Sequence, residues 1–104
     1  MITQVHTEDE LSNLINTHPS LLVIDAFALW CGPCRTLAPE LEIMSTKYPN
    51  VLIVKVDVDE LPYFTDKYNI TVMPTIMFVK SNRIIAQIEG ANISLIERYI
   101  QNNM

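Results

Sequence analysis

Residues 21–29 are almost continuously apolar and run without a break into Trp30-Cys31-Gly32-Pro33-Cys34, after which apolar residues recur at helical spacing. A strand covered on both faces has this composition, because neither of its sides meets water. The chain must therefore place a buried strand, a tight turn and a helix in succession, with both of its cysteines in the turn. A Cys-x-x-Cys at such a junction puts one sulfur at a helix N-terminus, where free backbone N–H groups and the macrodipole favour negative charge. Cys31 is the expected thiolate. Cys34 lies one turn on, within reach to form a disulfide with Cys31 or to attack a mixed disulfide.

The rest of the chain alternates strands and helices. Residues 2–5 form a possible short strand, and Thr7-Glu8-Asp9-Glu10 has the form of a capping box. The helix it starts carries Leu11, Leu14 and Ile15 on its apolar stripe and is expected to end before Pro19. After the central strand, from Pro33 onward, Cys34, Leu37, Ala38, Leu41, Met44 and Tyr48 recur at helical spacing and define one buried helix face, which makes Cys34 the shielded sulfur. Pro39 inside this helix is expected to kink it. Residues 51–58 are a second β-rich run, and residues 62–68 a short helix opened by Pro62.

Residues 75–79 and 84–88 flank Lys80-Ser81-Asn82-Arg83, a hairpin in which Asn82 is expected to take the left-handed backbone conformation. Of all the strands, only these two are joined closely enough to be expected as antiparallel neighbours. Asn92 or Ser94 caps a last helix with Ile96, Tyr99 and Ile100 on its inner face. The order β-α-β-α-β-α-β-β-α predicts an α/β fold with a central five-stranded mixed sheet flanked by four helices. The 104 residues are expected to form one domain, and their 49% apolar content can fill its core.

Several function classes are disfavoured. A net charge of −5 spread along the chain offers no basic stripe for nucleic acid. No apolar run approaches the roughly 18 residues of a membrane span, and no signal-peptide pattern stands at the N-terminus. A cytoplasmic location is expected. Asn69-Ile70-Thr71 and Asn92-Ile93-Ser94 match the glycosylation acceptor pattern, and both read as chance matches in that setting. Two cysteines are too few for a disulfide framework. A closed zinc site needs four ligands, and only His6 and His18 could add nitrogens, so no metal is expected.

With these elements placed, the sequence resembles the thioredoxin family over almost its whole length. The resemblance is carried by Val23-Ile24-Asp25-Ala26-Phe27-Ala28, Trp30-Cys31-Gly32-Pro33-Cys34-Arg35, Pro39, Lys55-Val56-Asp57-Val58-Asp59, Met73-Pro74-Thr75 and Glu89-Gly90-Ala91-Asn92. The Val-Asp-Val-Asp and Gly-Ala-Asn segments look more like eukaryotic cytosolic members than bacterial ones. Residues 1–104 are thus expected to be a single thioredoxin domain. Four departures stand out: Ala26-Phe27 in place of paired aromatics, Leu29 at a usually polar or small position, Asn82 for a hairpin glycine, and no cysteines beyond the pair.

The resemblance implies a general protein disulfide reductase, with Cys31 as nucleophile and Cys34 as resolving thiol. It implies recharging by a flavoprotein thioredoxin reductase that draws on NADPH. The chain itself is expected to bind no cofactor, and it has no Gly-x-Gly-x-x-Gly fingerprint. Expected substrates are disulfide-containing proteins, peroxiredoxin-like or ribonucleotide-reductase-like, and a monomer is expected. Asp25, a carboxylate in an apolar strand, corresponds to the family's proton-transfer group for the second cysteine, and Lys55 to the lysine that interacts with it. Asp25 also fits a hydrogen-bonded core residue, and Lys55 an exposed charge on a buried stem.

Family analogy further implies a cis bond before Pro74, although Pro74 also fits the start of an edge strand. By the same analogy Trp30, Gly32, Pro33, Val72, Met73, Pro74, Gly90 and Ala91 form a substrate surface around Cys31. Val72 and Met73 equally fit ordinary core packing. Asp57, Asp59 and Glu60 read as a solvated edge. The competing reading is a thioredoxin-fold adaptor subunit that acts through its surface rather than its thiols.

Overall fold

A computed structural model describes residues 2–104. Nine elements follow in chain order: β1 (Thr3–Gln4), α1 (Glu8–Thr17), β2 (Leu22–Phe27), α2 (Gly32–Lys47), β3 (Leu52–Asp57), α3 (Pro62–Lys67), β4 (Thr75–Lys80), β5 (Arg83–Glu89) and α4 (Ile93–Asn103). The strands form one mixed sheet in the order β1-β3-β2-β4-β5. β1, β3 and β2 run parallel, and β4 and β5 complete the sheet as antiparallel strands.

The antiparallel content exceeds the sequence expectation. Beyond the β4–β5 hairpin, β4 also pairs antiparallel with β2, Ala26 facing Thr75 and Leu22 facing Val79. A short loop forces an antiparallel return, whereas the longer connection through α3 permits either direction, and here the chain re-enters the sheet reversed. The hairpin turn holds a second departure. Ser81 shares the positive φ of Asn82, at 53° and 64°, because a two-residue turn matching the sheet twist needs both residues left-handed.

Local signals in the sequence account for most of the ends. Thr7 Oγ1 accepts from the Glu10 N–H at 3.1 Å, and Asn92 Oδ1 accepts from the Leu95 N–H at 3.1 Å. Both are helix N-caps that satisfy donors with no partner inside the helix. α3 has no cap of its own. Glu8 of α1 supplies one instead, its carboxylate accepting from the N–H groups of Tyr63 and Phe64 at 2.8 and 3.2 Å. α2 continues through Pro39 to Lys47 as one helix.

Alternation along the strands splits the core into two layers. Leu22, Ile24 and Ala26 face the layer containing Leu11, Ile15, Phe64, Cys31 and Cys34. Val23, Ile53 and Phe78 face Leu37, Leu41 and Met44 of α2 and Ile96 and Ile100 of α4. Both faces of β2 are thus buried, which is why its sequence lacks an alternating pattern. The expected α2 face is buried at Cys34, Leu37, Leu41, Met44 and Tyr48, but Ala38 is exposed because it borders a cleft.

Candidate active site at the carboxyl end of β2

Register brings the scattered motifs to one end of the sheet. Ala26 pairs with Thr75 at the start of β4, Thr75 pairs with Glu89 at the end of β5, and Phe27 pairs with Asp57 at the end of β3. The Trp30–Cys34 turn, the Met73-Pro74 segment, the Gly90 loop and the Asp57–Asp59 turn therefore all leave the sheet at this end. Ligand sites in α/β sheets favour the carboxyl ends of parallel strands.

Cys31 is the N-cap of α2 and is joined to Cys34 as a disulfide, the Cα atoms 5.3 Å apart. The Cys34 N–H donates to Cys31 Sγ at 3.1 Å, so this sulfur sits where the helix offers a free donor. Pro33 follows in the first turn, where its missing N–H costs nothing. The expectation that only Cys34 is shielded is not met. Cys31 and Cys34 are both buried, at 4% and 5% exposure, because Cys31 Sγ turns inward onto the helix start and its disulfide partner. Gly32 and Pro33 are exposed on the same turn, and Trp30 is 67% exposed.

Behind Cys34 lies a cleft of about 180 Å³ lined by Asp25, Phe27, Ala28, Leu29, Cys34, Arg35, Ala38 and Lys55. Asp25 and Lys55 are register partners on β2 and β3. Asp25 is buried, and among the described residues no group hydrogen-bonds its Oδ1. Burial pushes its carboxyl up to about 7, against a smaller lowering by the Lys55 charge. Lys55 is half-buried, with its Nζ 5.9 Å from the centre of the Phe27 ring. The arrangement places the cysteine pair beside a carboxyl that can hold or release a proton near neutral pH.

The remaining expected residues divide. Met73 and Pro74 are joined by a cis peptide bond. Pro74 is buried and its carbonyl accepts from the Gly90 N–H at 2.8 Å, which ties the loop after β5 to the segment before β4. Gly90 needs its glycine here, with φ +94°. Met73 packs against the core layer that holds the two cysteines, whereas Val72 is 43% exposed and its carbonyl receives the Thr75 hydroxyl. Ala91 packs against the other core layer.

One contributor was missed in the sequence. Asp59 Oδ2 accepts from the Trp30 indole at 3.1 Å and thereby orients the ring next to Cys31. Nothing in the spacing of Asp57, Asp59 and Glu60 pairs one of them with Trp30. Only the register that brings the ends of β2 and β3 together does so. Glu60 meets His6 at 3.0 Å, and His18 meets Ser20, so the two histidines lie in separate contacts away from the sulfurs. Among the described residues no helix is long and apolar enough to cross a membrane.

A mixed sheet carrying a cysteine pair at a strand-to-helix turn defines the class: a protein-disulfide oxidoreductase. The Thioredoxin family model matches residues 2–102, and the chain belongs to that family. It is 38% identical over 103 residues to Thioredoxin-1 of Saccharomyces cerevisiae, covering 99% of each chain. The X-ray structure of Fasciola hepatica thioredoxin superposes with a TM-score of 0.94 at 36% identity, over 99% of this chain and 100% of that one. A chain solved in work on thiol resolution in a yeast mitochondrial 1-Cys peroxiredoxin via glutathione/thioredoxin systems matches with a TM-score of 0.91 at 39% identity, over 97% and 94% of the two chains.

Proposed function

We propose that residues 1–104 act as a single thioredoxin domain and a general protein disulfide reductase, with Cys31 as nucleophile and Cys34 as resolving thiol. The observation that carries this reading is the position of Cys31 Sγ at the N-terminus of α2, within hydrogen-bond distance of the Cys34 N–H. There the thiolate is favoured over the thiol. In the reduced protein the Cys31 thiolate attacks one sulfur of a substrate disulfide, and the other substrate sulfur leaves as a thiolate that takes up a proton. Asp25, sharing the cleft with Cys34, accepts the Cys34 proton. The Cys34 thiolate then attacks Cys31 Sγ, forms the internal disulfide and expels the second substrate sulfur. The substrate gains two electrons and the protein loses two.

Lys55 stabilises the ionised form of Asp25 from the adjacent strand. Trp30, Gly32, Pro33, Val72, Met73, Pro74, Gly90 and Ala91 form the surface over which an extended substrate segment lies, pairing with the backbone before Pro74 in the manner of strand addition. An NADPH-dependent thioredoxin reductase returns the dithiol. Peroxiredoxin-like proteins are among the substrates in this reading, supported by the setting of the 1-Cys peroxiredoxin match. Ribonucleotide-reductase-like proteins are a second expected group. The protein works as a monomer in the cytoplasm.

The test is reduction of insulin disulfides driven by NADPH and a yeast thioredoxin reductase. The wild-type chain is expected to turn over, and the variant with both Cys31→Ser and Cys34→Ser to lose all activity. A double variant that kept its activity would overturn the dithiol mechanism, and a wild-type chain that reduced no insulin would leave the surface-only adaptor reading standing.

A further inference from the structure

At the disulfide end of the sheet the chain displays two large apolar side chains in succession, Leu29 at 74% exposure and Trp30 at 67%. Both stand on fixed supports. Arg35 donates from Nη1 to the Leu29 carbonyl at 2.9 Å, and Asp59 holds the Trp30 indole. Leu29 also lines the cleft that ends on Cys34. A leucine left in water contributes nothing to folding, and its apolar area yields free energy only when a partner covers it. The anchored Leu29 backbone and the held Trp30 ring lose little freedom when that happens.

We propose that Leu29 is a specificity-determining contact for the disulfide exchange, receiving an apolar side chain from the polypeptide segment beside the substrate's disulfide. The inference rests on the reductase reading above. Its occupant follows from continuity. Leu29 adjoins Trp30 in the chain and shares a cleft with Cys34, so a polypeptide whose disulfide reaches the sulfurs passes over Leu29. A small disulfide with no flanking chain has nothing to cover it. Leu29 thus raises the rate on protein disulfides selectively, by binding rather than by sulfur chemistry.

The experiment compares single-turnover rate constants of the reduced protein with insulin and with hydroxyethyl disulfide, read through Trp30 fluorescence. The quantity of interest is the ratio of the two. Leu29→Gln is expected to lower that ratio about fivefold, the loss of roughly 1 kcal/mol of apolar contact. Leu29→Met, which keeps an apolar side chain of similar size, is expected to hold it within about twofold. An unchanged ratio in Leu29→Gln would overturn the proposal, as would an equal fall in Leu29→Met or equal slowing on both substrates. Failure of the wild-type chain to reduce either substrate would overturn the reductase reading beneath it.

Discussion

Asp25 on β2 and Lys55 on β3 are register partners in adjacent parallel strands, an acid and a base side by side at the wall of the cleft that reaches Cys34. The pair does not fully neutralise itself. Burial outweighs the Lys55 charge, so the Asp25 carboxyl holds its proton to about pH 7 rather than to its ordinary value of 3.8.

A pH dependence of stability follows from this shift. At low pH the carboxyl is protonated in both folded and unfolded chains, and well above 7 it is charged in both, with the full cost of burial falling on the folded one. Between these limits the folded protein keeps a proton that the unfolded chain has released, so this group's contribution falls as pH rises from about 4 to about 7. The total is at most roughly 4 kcal/mol, from about 1.4 kcal/mol per pKa unit. Asp25→Asn removes that slope. Urea denaturation of the oxidised protein and the variant at pH 5 and pH 8 checks it: the variant is expected to gain on the wild type at pH 8, and parallel behaviour would refute the assignment.

The same carboxyl serves the second half of the exchange. Asp25→Asn is expected to slow release of substrate from the mixed disulfide by roughly tenfold or more, the scale of a lost general base. The first attack by Cys31 is expected to be unaffected. Rapid-quench separation of the two steps provides the check, and equal slowing of both would place Asp25 outside the proton transfer.

Replacing Cys34 by serine stops the reaction after its first step. Cys34→Ser is expected to accumulate mixed disulfides with substrate proteins through Cys31, released by dithiothreitol, whereas Cys31→Ser accumulates none. Non-reducing electrophoresis followed by mass mapping identifies the linked cysteine. Adducts on Cys34 of the Cys31→Ser variant, at comparable yield, would reverse the two roles.

Trp30 depends on Asp59 for its orientation. Asp59→Ala is expected to shift the Trp30 emission spectrum, while Asp59→Asn, which retains an acceptor oxygen, preserves it. The hydrogen bond is exposed, so thermal stability is expected to move by no more than about 1 kcal/mol. Emission unchanged in Asp59→Ala would show that the ring is held by other contacts.

What the sequence makes legible, and what it does not, divides by the range of the interaction. Thr7 and Asn92 declare their helix starts because a cap is decided within four residues. The almost continuous apolar run of β2 and the helical spacing that follows it identify the central strand and place Cys31 at the start of α2. Asp25 stands out because a carboxylate in such a run needs a physical reason. The missed features are long-range. The reversed entry of β4 beside β2, the contact between Trp30 and Asp59, and Glu8 as the cap of α3 each join segments far apart in the chain. Ala38 fits the apolar spacing of α2 and is exposed only because the cleft opens beside it. The burial of Cys31 depends on the direction of its Sγ, which a residue pattern does not encode.

The central claim is that the Cys31–Cys34 pair acts as a reductant toward protein disulfides. Its equilibrium reduction potential, titrated against a dithiothreitol redox buffer with Trp30 fluorescence as the signal, tests this most directly. The account predicts a value near about −270 mV, the poise of thioredoxins, well below glutaredoxins at about −200 to −230 mV. A value near about −180 mV, as in protein disulfide isomerase, would make the chain an oxidant or isomerase and contradict the account.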